Sequence, residues 1–259
     1  MLTWIVLGLG AVAAAALAYG WFEAGWLRTR VLELPVHGLP AELDGLRVAH
    51  LSDFHFGPVS RGTVAGRCAA EWVRSRSPDL VVVTGDLLSR PRGRPTLDQV
   101  LAGLDAFVVL GNHDVAVTRD PFSRAAELAG LPATLLVDES RTIELRGVPV
   151  QVAGTAPRAS GPVPEPDQAA AFRILLTHYP RLRTSGYQLV LAGHMHAGQI
   201  VLPYPGGRVR FAHIRAPMAE GVYREGGVTL HVSPGLGTTF IPFRFFARPE
   251  ATELVLRSR

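Results

Sequence analysis

The chain has 259 residues, 47% of them hydrophobic and 19% charged, with a formal net charge of +4. This composition excludes a disordered polymer and suits one large domain or two small ones, while a single cysteine, Cys68, excludes any intrachain disulfide. All 26 basic residues are arginines, dispersed apart from Arg90, Arg92 and Arg94, so the charge surplus is weak ground for a nucleic-acid partner.

Residues Met1–Phe22 carry no charged side chain and are rich in Ala, Leu, Val and Gly. That run is about the length needed to cross a hydrocarbon core. Trp4, Trp21, Phe22 and Trp26 lie near its two ends, as in interfacial aromatic belts. Residues 1–27 are therefore read as an uncleaved single-pass anchor. Two readings compete: a buried core helix, which the aromatic placement speaks against, and a signal peptide, for which Ala16-Leu17-Ala18 offers a cleavage pattern although the only positive group before the run is the terminal amine. Arg28 and Arg30 follow it, and the positive-inside tendency slightly favours the cytoplasmic side for what comes next.

Residues 28–46 read as a strand, Val31–Val36, and a connector leading into a domain over 47–259. Arg47–Leu51 is a short apolar run that stops at Ser52-Asp53. Arg61–Arg76 has a helical pattern ended by Ser77-Pro78, with Cys68 expected as a small buried filler. Leu80–Thr84 and Ala106–Leu110 have the composition and length of buried strands, and Phe122–Ala129 reads as a short helix. Strands are then expected at Thr134–Val137, Thr142–Leu145, Val148–Ala153, Phe172–Thr177, Gln188–Ala192, Ile200–Leu202, Val228–Val232 and Glu253–Leu256. Early strands alternate with helices and later ones follow one another closely. The expected fold is α/β: two packed mixed β-sheets flanked by helices, a four-layer αββα sandwich, preceded by the one transmembrane helix.

Five clusters of metal-binding residues sit directly after apolar runs: Asp53-Phe-His55, Gly85-Asp86, Gly111-Asn112-His113-Asp114, His178, and Gly193-His194-Met-His196. Singly, each has an ordinary explanation as a turn or a hydrogen-bonded structural residue. Turn chemistry alone does not place carboxylates, an amide and paired histidines after five separate strands. Carboxylate, amide and imidazole together suit a divalent first-row metal. Loops at the carboxyl ends of strands can bring seven such groups onto two ions, a known device for in-line displacement at phosphorus.

These motifs, in this order, resemble the signature of calcineurin-like metallophosphoesterases over residues 47 to 232. The tail Gly235-Leu-Gly-Thr-Thr-Phe-Ile-Pro242-Phe-Arg244 with Arg248-Pro249-Glu250, and His196-Ala-Gly-Gln199 with Leu202-Pro203, are similar to the membrane-associated bacterial branch. That branch includes phosphodiesterases and enzymes like those that hydrolyse UDP-2,3-diacylglucosamine. The resemblance implies one divalent ion (Mn, Fe or Zn type) held by Asp53, His55, Asp86 and His196. A second would be held by Asp86, Asn112, His178 and His194. It implies a phosphate-ester substrate, with His113 donating a proton to the leaving oxygen and Asp114 holding the His113 ring. Ser89, Tyr179, Phe54 and Met195 depart from the family's usual residues, which bears on the substrate and removes no ligand.

The expected function is hydrolysis of a phosphodiester or pyrophosphate bond in a lipid-linked substrate. A nucleotide or nucleic-acid phosphodiesterase using the same metals is the alternative, and it expects a continuous basic track. A metal-free scaffold expects missing ligands, and every ligand position is filled. Arg90-Pro-Arg92-Gly-Arg94 is read as a solvated loop in preference to a headgroup clamp, and Phe240, Phe243, Phe245 and Phe246 as core. His37, His50, His213 and His231 are given structural hydrogen bonds only.

Overall fold

The run of three valines at the centre of Leu80–Thr84 makes a strand whose neighbours alternate between two apolar environments. In the computed structural model, which describes all residues of 1–259 except 116–124, 183, 185, 213 and 215, Val82 packs between two sheets. Val81 and Val83 face helices on the other side. The first sheet has the order β1 (Arg28–Val36), β14 (Glu250–Ser258), β2 (Arg47–Leu51), β3 (Leu80–Thr84), β4 (Phe107–Val109), β5 (Thr134–Leu135). Only β14 and β2 pair antiparallel within it. β1 is matched to β14 along its whole length, so it is an integral edge strand of the sheet.

The second sheet has the order β12 (Gly221–Glu225), β13 (Val228–Val232), β9 (Leu189–Ala192), β8 (Phe172–Thr177), β7 (Val148–Gly154), β6 (Glu139–Leu145). Val48, Val82 and Leu254 from the first sheet meet Val152, Ile174 and Leu191 from the second in the central core. A separate hairpin, β10 (Val201–Tyr204) with β11 (Gly207–Arg210), belongs to neither large sheet.

Two helices, α2 (Gly62–Arg76) and α3 (Arg94–Leu101), cover the outer face of the first sheet through Ala69, Val73, Leu97 and Leu101. Ser77 ends α2 in a left-handed conformation, φ 47°, just before Pro78. The expected fourth layer is different: among the described residues no helix covers the second sheet. Its outer face is packed by Val163, Leu182 and Met218 from irregular chain. Pro157, Pro162, Pro164 and Pro166 explain this, since each lacks the N–H a helix needs.

Other expectations are corrected by position on the helices. Cys68 is exposed, because the face of α2 that meets the sheet is Ala65, Ala69, Ala70 and Val73. Of the helix expected over Phe122–Ala129, residues 122–124 lie outside the described residues and 125–128 are irregular. His213 also lies outside them. α3, β11 and β12 were not anticipated, being short and rich in Arg, Gly and Pro around their edges.

The amino-terminal helix α1 (Leu2–Glu23) is long and apolar enough to span a membrane. Its last turn is docked on the domain. Glu23 is buried, and its carboxylate accepts the backbone N–H groups of Phe246 and Ala247 at 2.9 and 2.7 Å. The Gly20 carbonyl accepts the Arg244 N–H at 3.0 Å, at a point where a Cβ on residue 20 would overlap the Phe245 ring. Tyr19 meets Phe245 and Phe246, and Trp21 meets Phe243. The four phenylalanines are thus divided: Phe243, Phe245 and Phe246 meet α1, while Phe240 and the outer part of Phe246 are exposed.

Candidate metal centre

Asp53, Asp86, Asn112, His178 and His194 each stand just past the carboxyl end of a parallel strand, β2, β3, β4, β8 and β9 respectively. The two sheets point these ends the same way, so five loops converge. Asp53, His55, Asp86, His194 and His196 all have positive φ, between 47° and 74°. Such strain at five of the seven donors persists because the surrounding loops over-determine it, as at functional sites generally. Gly111 shows why glycine recurs in these motifs: a Cβ there would collide with the Asp86 carboxylate.

The donors form two groups sharing Asp86. In the first, donor atoms of Asp53, His55, Asp86 and His196 lie within 4.8 Å of one another; in the second, those of Asp86, His178 and His194 do. His55 Nε2 is 3.1 Å from His196 Nε2, and His178 Nε2 is 3.1 Å from both His194 Nδ1 and Asn112 Oδ1. Asp86 Oδ2 is 3.3 Å from His55 Nε2 and 3.3 Å from His178 Nε2. All seven candidate ligands are therefore brought together.

Supporting groups orient them. His178 Nδ1–H donates to the Thr84 carbonyl at 2.9 Å and His55 Nδ1–H to Ser89 Oγ at 2.8 Å, leaving each Nε2 lone pair for a cation. Ser89 thus has a role that a departure from the family pattern had not suggested. Ser52 Oγ donates to Asp53, whose carboxylate also receives the His194 N–H at 3.1 Å. Arg244 is fully buried; its guanidinium donates to the carbonyls of Pro234, Gly237 and Ala247 and approaches His196 Nδ1 at 3.3 Å. In the sequence it stood out only as part of the tail that resembles the membrane-associated branch, with no role attached.

Electrostatics favour a cation. Burial pushes Asp86 up, but His178 and His55 outweigh it and hold this carboxyl well below its ordinary range. Burial pushes His178 down, and the charge and hydrogen bond of Asp86 reverse that, raising it to about 9. His196 is driven well below its usual value by burial, then by His55 and Arg244. The pocket thus keeps a proton on His178 that a divalent ion would replace, and the mixed oxygen and nitrogen donors fit a first-row metal.

Asp114 differs from expectation. Its oxygens accept the backbone N–H groups of Leu87, Leu88 and Gly111 at 2.9 to 3.1 Å. Burial and the neighbouring Asp86 charge push it up to about 6. Its observed bonds stitch the Asp86 loop to the Gly111 loop, where sequence had placed it behind the His113 ring. The His113 N–H donates to Asp86 Oδ1 at 2.9 Å, and its ring lies 4.8 Å from that of His55.

His113 also lines a cavity of about 470 Å³ with Arg90, Arg92, Ser89, Phe240 and Ile241. Arg90 and Arg92 of the arginine segment are exposed, as read from sequence, and they also border this cavity beside the 3-10 turn at Pro91–Gly93, with Arg92 Nε donating to the Gly57 carbonyl. Arg94 is spent elsewhere, on Asp98 and on the carbonyls of Glu127 and Ala129.

Below the site His50 and His231 bond across the two sheets, Nδ1 to Nδ1 at 2.8 Å, and His50 Nε2 meets Thr84 Oγ1 at 2.9 Å. Burial, then the partner's charge, pushes His50 well below its usual value; burial, then Arg30, takes His231 down to about 3. Both are neutral when folded, whereas the unfolded chain protonates them near pH 6.5. Their stability contribution is complete above that pH and is lost as pH falls toward the folded values. At pH 4.5 the loss from His231 is roughly 2–3 kcal/mol, and His50 adds a loss of the same sign. Urea unfolding at pH 7 and 4.5 should show a smaller acid loss in a His50→Gln/His231→Gln variant than in the wild type; equal losses would refute the assignment.

Two donor groups sharing a carboxylate, at the mouth of a two-sheet α/β fold, define a metal-dependent hydrolase. The chain belongs to the calcineurin-like phosphoesterase family, whose profile matches residues 46–198. It is similar to the uncharacterized metallophosphoesterase YkuE of Bacillus subtilis, 29% identical over 96% of this chain and 94% of that one. The phosphodiesterase YaeI of Escherichia coli is 25% identical over 92% of this chain and 89% of its own. A transmembrane protein with metallophosphoesterase domain from Danio rerio is 30% identical over 87% of this chain and 56% of its own.

Proposed function

We propose that the protein is a membrane-anchored, dinuclear phosphodiesterase acting on a phosphodiester or pyrophosphate bond in a lipid-linked substrate. The observation that carries this reading is the position of Asp86 Oδ2, equidistant from the two histidines of separate donor groups. Asp53, His55, Asp86 and His196 would hold one ion, and Asp86, Asn112, His178 and His194 the other. When bound, two ions of the Mn, Fe or Zn type supply Lewis acidity toward phosphoryl oxygens and an acidified water. Asn112 adds a neutral oxygen, which limits negative charge facing a phosphate. His113, on the cavity wall beside the shared carboxylate, hydrogen-bonds the leaving oxygen and gives it a proton. Asp114 keeps that histidine in place through the loops it joins. Arg90 and Arg92 offer guanidinium groups to the second phosphate or the headgroup.

The name of the Escherichia coli relative supports diester chemistry, and the Danio rerio relative supports the anchor. Residues 1–27 form the anchor in this reading, 28–46 belong to the domain with 47–259 because β1 is an edge strand of its sheet, and Arg28 and Arg30 favour the cytoplasmic face. The test is a turnover panel on full-length, metal-reconstituted protein: bis-p-nitrophenyl phosphate, p-nitrophenyl phosphate, a nucleoside-diphosphate lipid and a short oligonucleotide. The diester and the lipid should be preferred by about tenfold or more. Preference for the monoester or the oligonucleotide would defeat the substrate assignment, and inertness toward all four the activity.

A further inference from the structure

Among the described residues beyond residue 27, twelve large apolar side chains are exposed, and eight of them fall in two short segments, 202–214 and 240–246. Singly exposed apolar residues are ordinary; a contiguous concentration marks a surface with an occupant. The most exposed include Leu202, Tyr204 and Phe211 in the first segment, and Phe240 and Phe246 in the second. The two segments are joined to each other. Val201 N–H donates to the Phe245 carbonyl at 2.9 Å, and Phe245 N–H to the Gln199 carbonyl at 3.0 Å. The second segment is also joined to the end of α1, through Gly20, Glu23, Tyr19 and Trp21 as described above, and the first reaches α1 through it.

We propose that the β10–β11 hairpin and the 240–246 loop form a second membrane contact, a collar around the exit of α1 that beds on the lipid headgroup layer. The proposal rests on reading α1 as the anchor. Continuity with α1 selects the occupant. The helix has exposed side chains through residue 19, and its docked turn places Tyr19, Trp21, Phe22 and Trp26 at the level where aromatic rings meet headgroups. Charge agrees: the Arg61 and Arg248 guanidinium groups lie over the Phe22 and Trp26 rings, 5.8 and 3.8 Å from their centres, positioned for anionic lipid phosphates. A two-stranded hairpin with few packing partners of its own also gains a surface to rest on.

The consequence concerns the substrate. Phe240 and Ile241 belong both to the collar and to the cavity shared with His113, Arg90 and Arg92. The mouth of the metal site is therefore held at the headgroup surface, and a phosphate on an amphiphile in that leaflet reaches it without leaving the bilayer.

The test uses full-length protein in phosphatidylcholine–phosphatidylglycerol nanodiscs, with Cys68→Ser as background. Leu202→Cys and Phe211→Cys report the collar. Ser75→Cys, near the end of α2 and at the opposite end of the sheet from Asp86, is the control. Each is labelled with an environment-sensitive fluorophore and titrated with lipids brominated near the headgroup. Emission at 202 and 211 should fall by roughly half while that at 75 is unchanged, as expected for side chains at the interface. Equal responses at all three positions, or no quenching at 202 and 211 as when a second copy covers them, would overturn the collar. A Leu202→Glu/Phe211→Glu variant should turn over a bilayer-embedded diester about tenfold more slowly and water-soluble bis-p-nitrophenyl phosphate at the wild-type rate. Equal loss on both substrates would overturn it too. Selective quenching in a protein inert to every ester would uphold the collar and defeat the phosphodiesterase reading.

Discussion

Replacing Asp86 by Ala should abolish both metal occupancy and turnover. This carboxylate is the single group common to the two donor sets, and it also receives the His113 N–H. Its loss removes a ligand from each ion and leaves His178, raised by its neighbour, without the anion that holds it. The expected fall in kcat/KM is on the order of 10⁴-fold, the scale of a transition state deprived of metal-ion stabilisation. Metal content measured by mass spectrometry should fall from about two ions per chain to near none, matching the ligand count of the two sites. Circular dichroism would show that the sheets persist. Full activity in a metal-replete Asp86→Ala protein would end the dinuclear interpretation.

His113→Ala should behave differently, and the contrast separates ligand from acid. The His113 ring borders the cavity, so its removal should leave metal content unchanged. Turnover should fall by about 10² to 10³, as for loss of a positioned general acid. The loss should depend on the leaving group: large for an alkyl oxygen, which needs a proton as the bond breaks, and small for nitrophenolate, which does not. A uniform loss across leaving groups would instead point to substrate positioning. Loss of metal in this variant would make the His113 ring a support of its neighbour His55.

Much of the donor chemistry was readable because it is local. The ends of Leu80–Thr84, Phe172–Thr177 and Arg47–Leu51 coincide with the observed strands, and a ligand follows each within two residues. Such strands are marked by continuous β-branched and leucine runs, whose periodicity and length do not depend on distant partners. The turns were marked too, because a left-handed donor beside a glycine is a local backbone demand.

Other features carried no local mark. The side of the sheet left without helices followed from prolines whose effect depends on what the chain must cover. Arg244 and Ser89 could be recognised only by what they touch. The two arginines facing the cavity were indistinguishable in sequence from Arg94, which braces another loop.

From its order of residues alone this protein determined which atoms would be offered: two aspartates, one asparagine and four histidines, each at the end of an apolar strand, behind a membrane-length helix. Tertiary structure decided which of them share Asp86, that Arg244 lies buried beside His196, and that the end of α1 docks on the 243–247 segment. The physical reason is separation along the chain. His55 and His196 lie 141 positions apart, as do Asp53 and His194, and no propensity or spacing encodes such a meeting. Only the packing of one sheet on the other brings those ends within hydrogen-bonding reach.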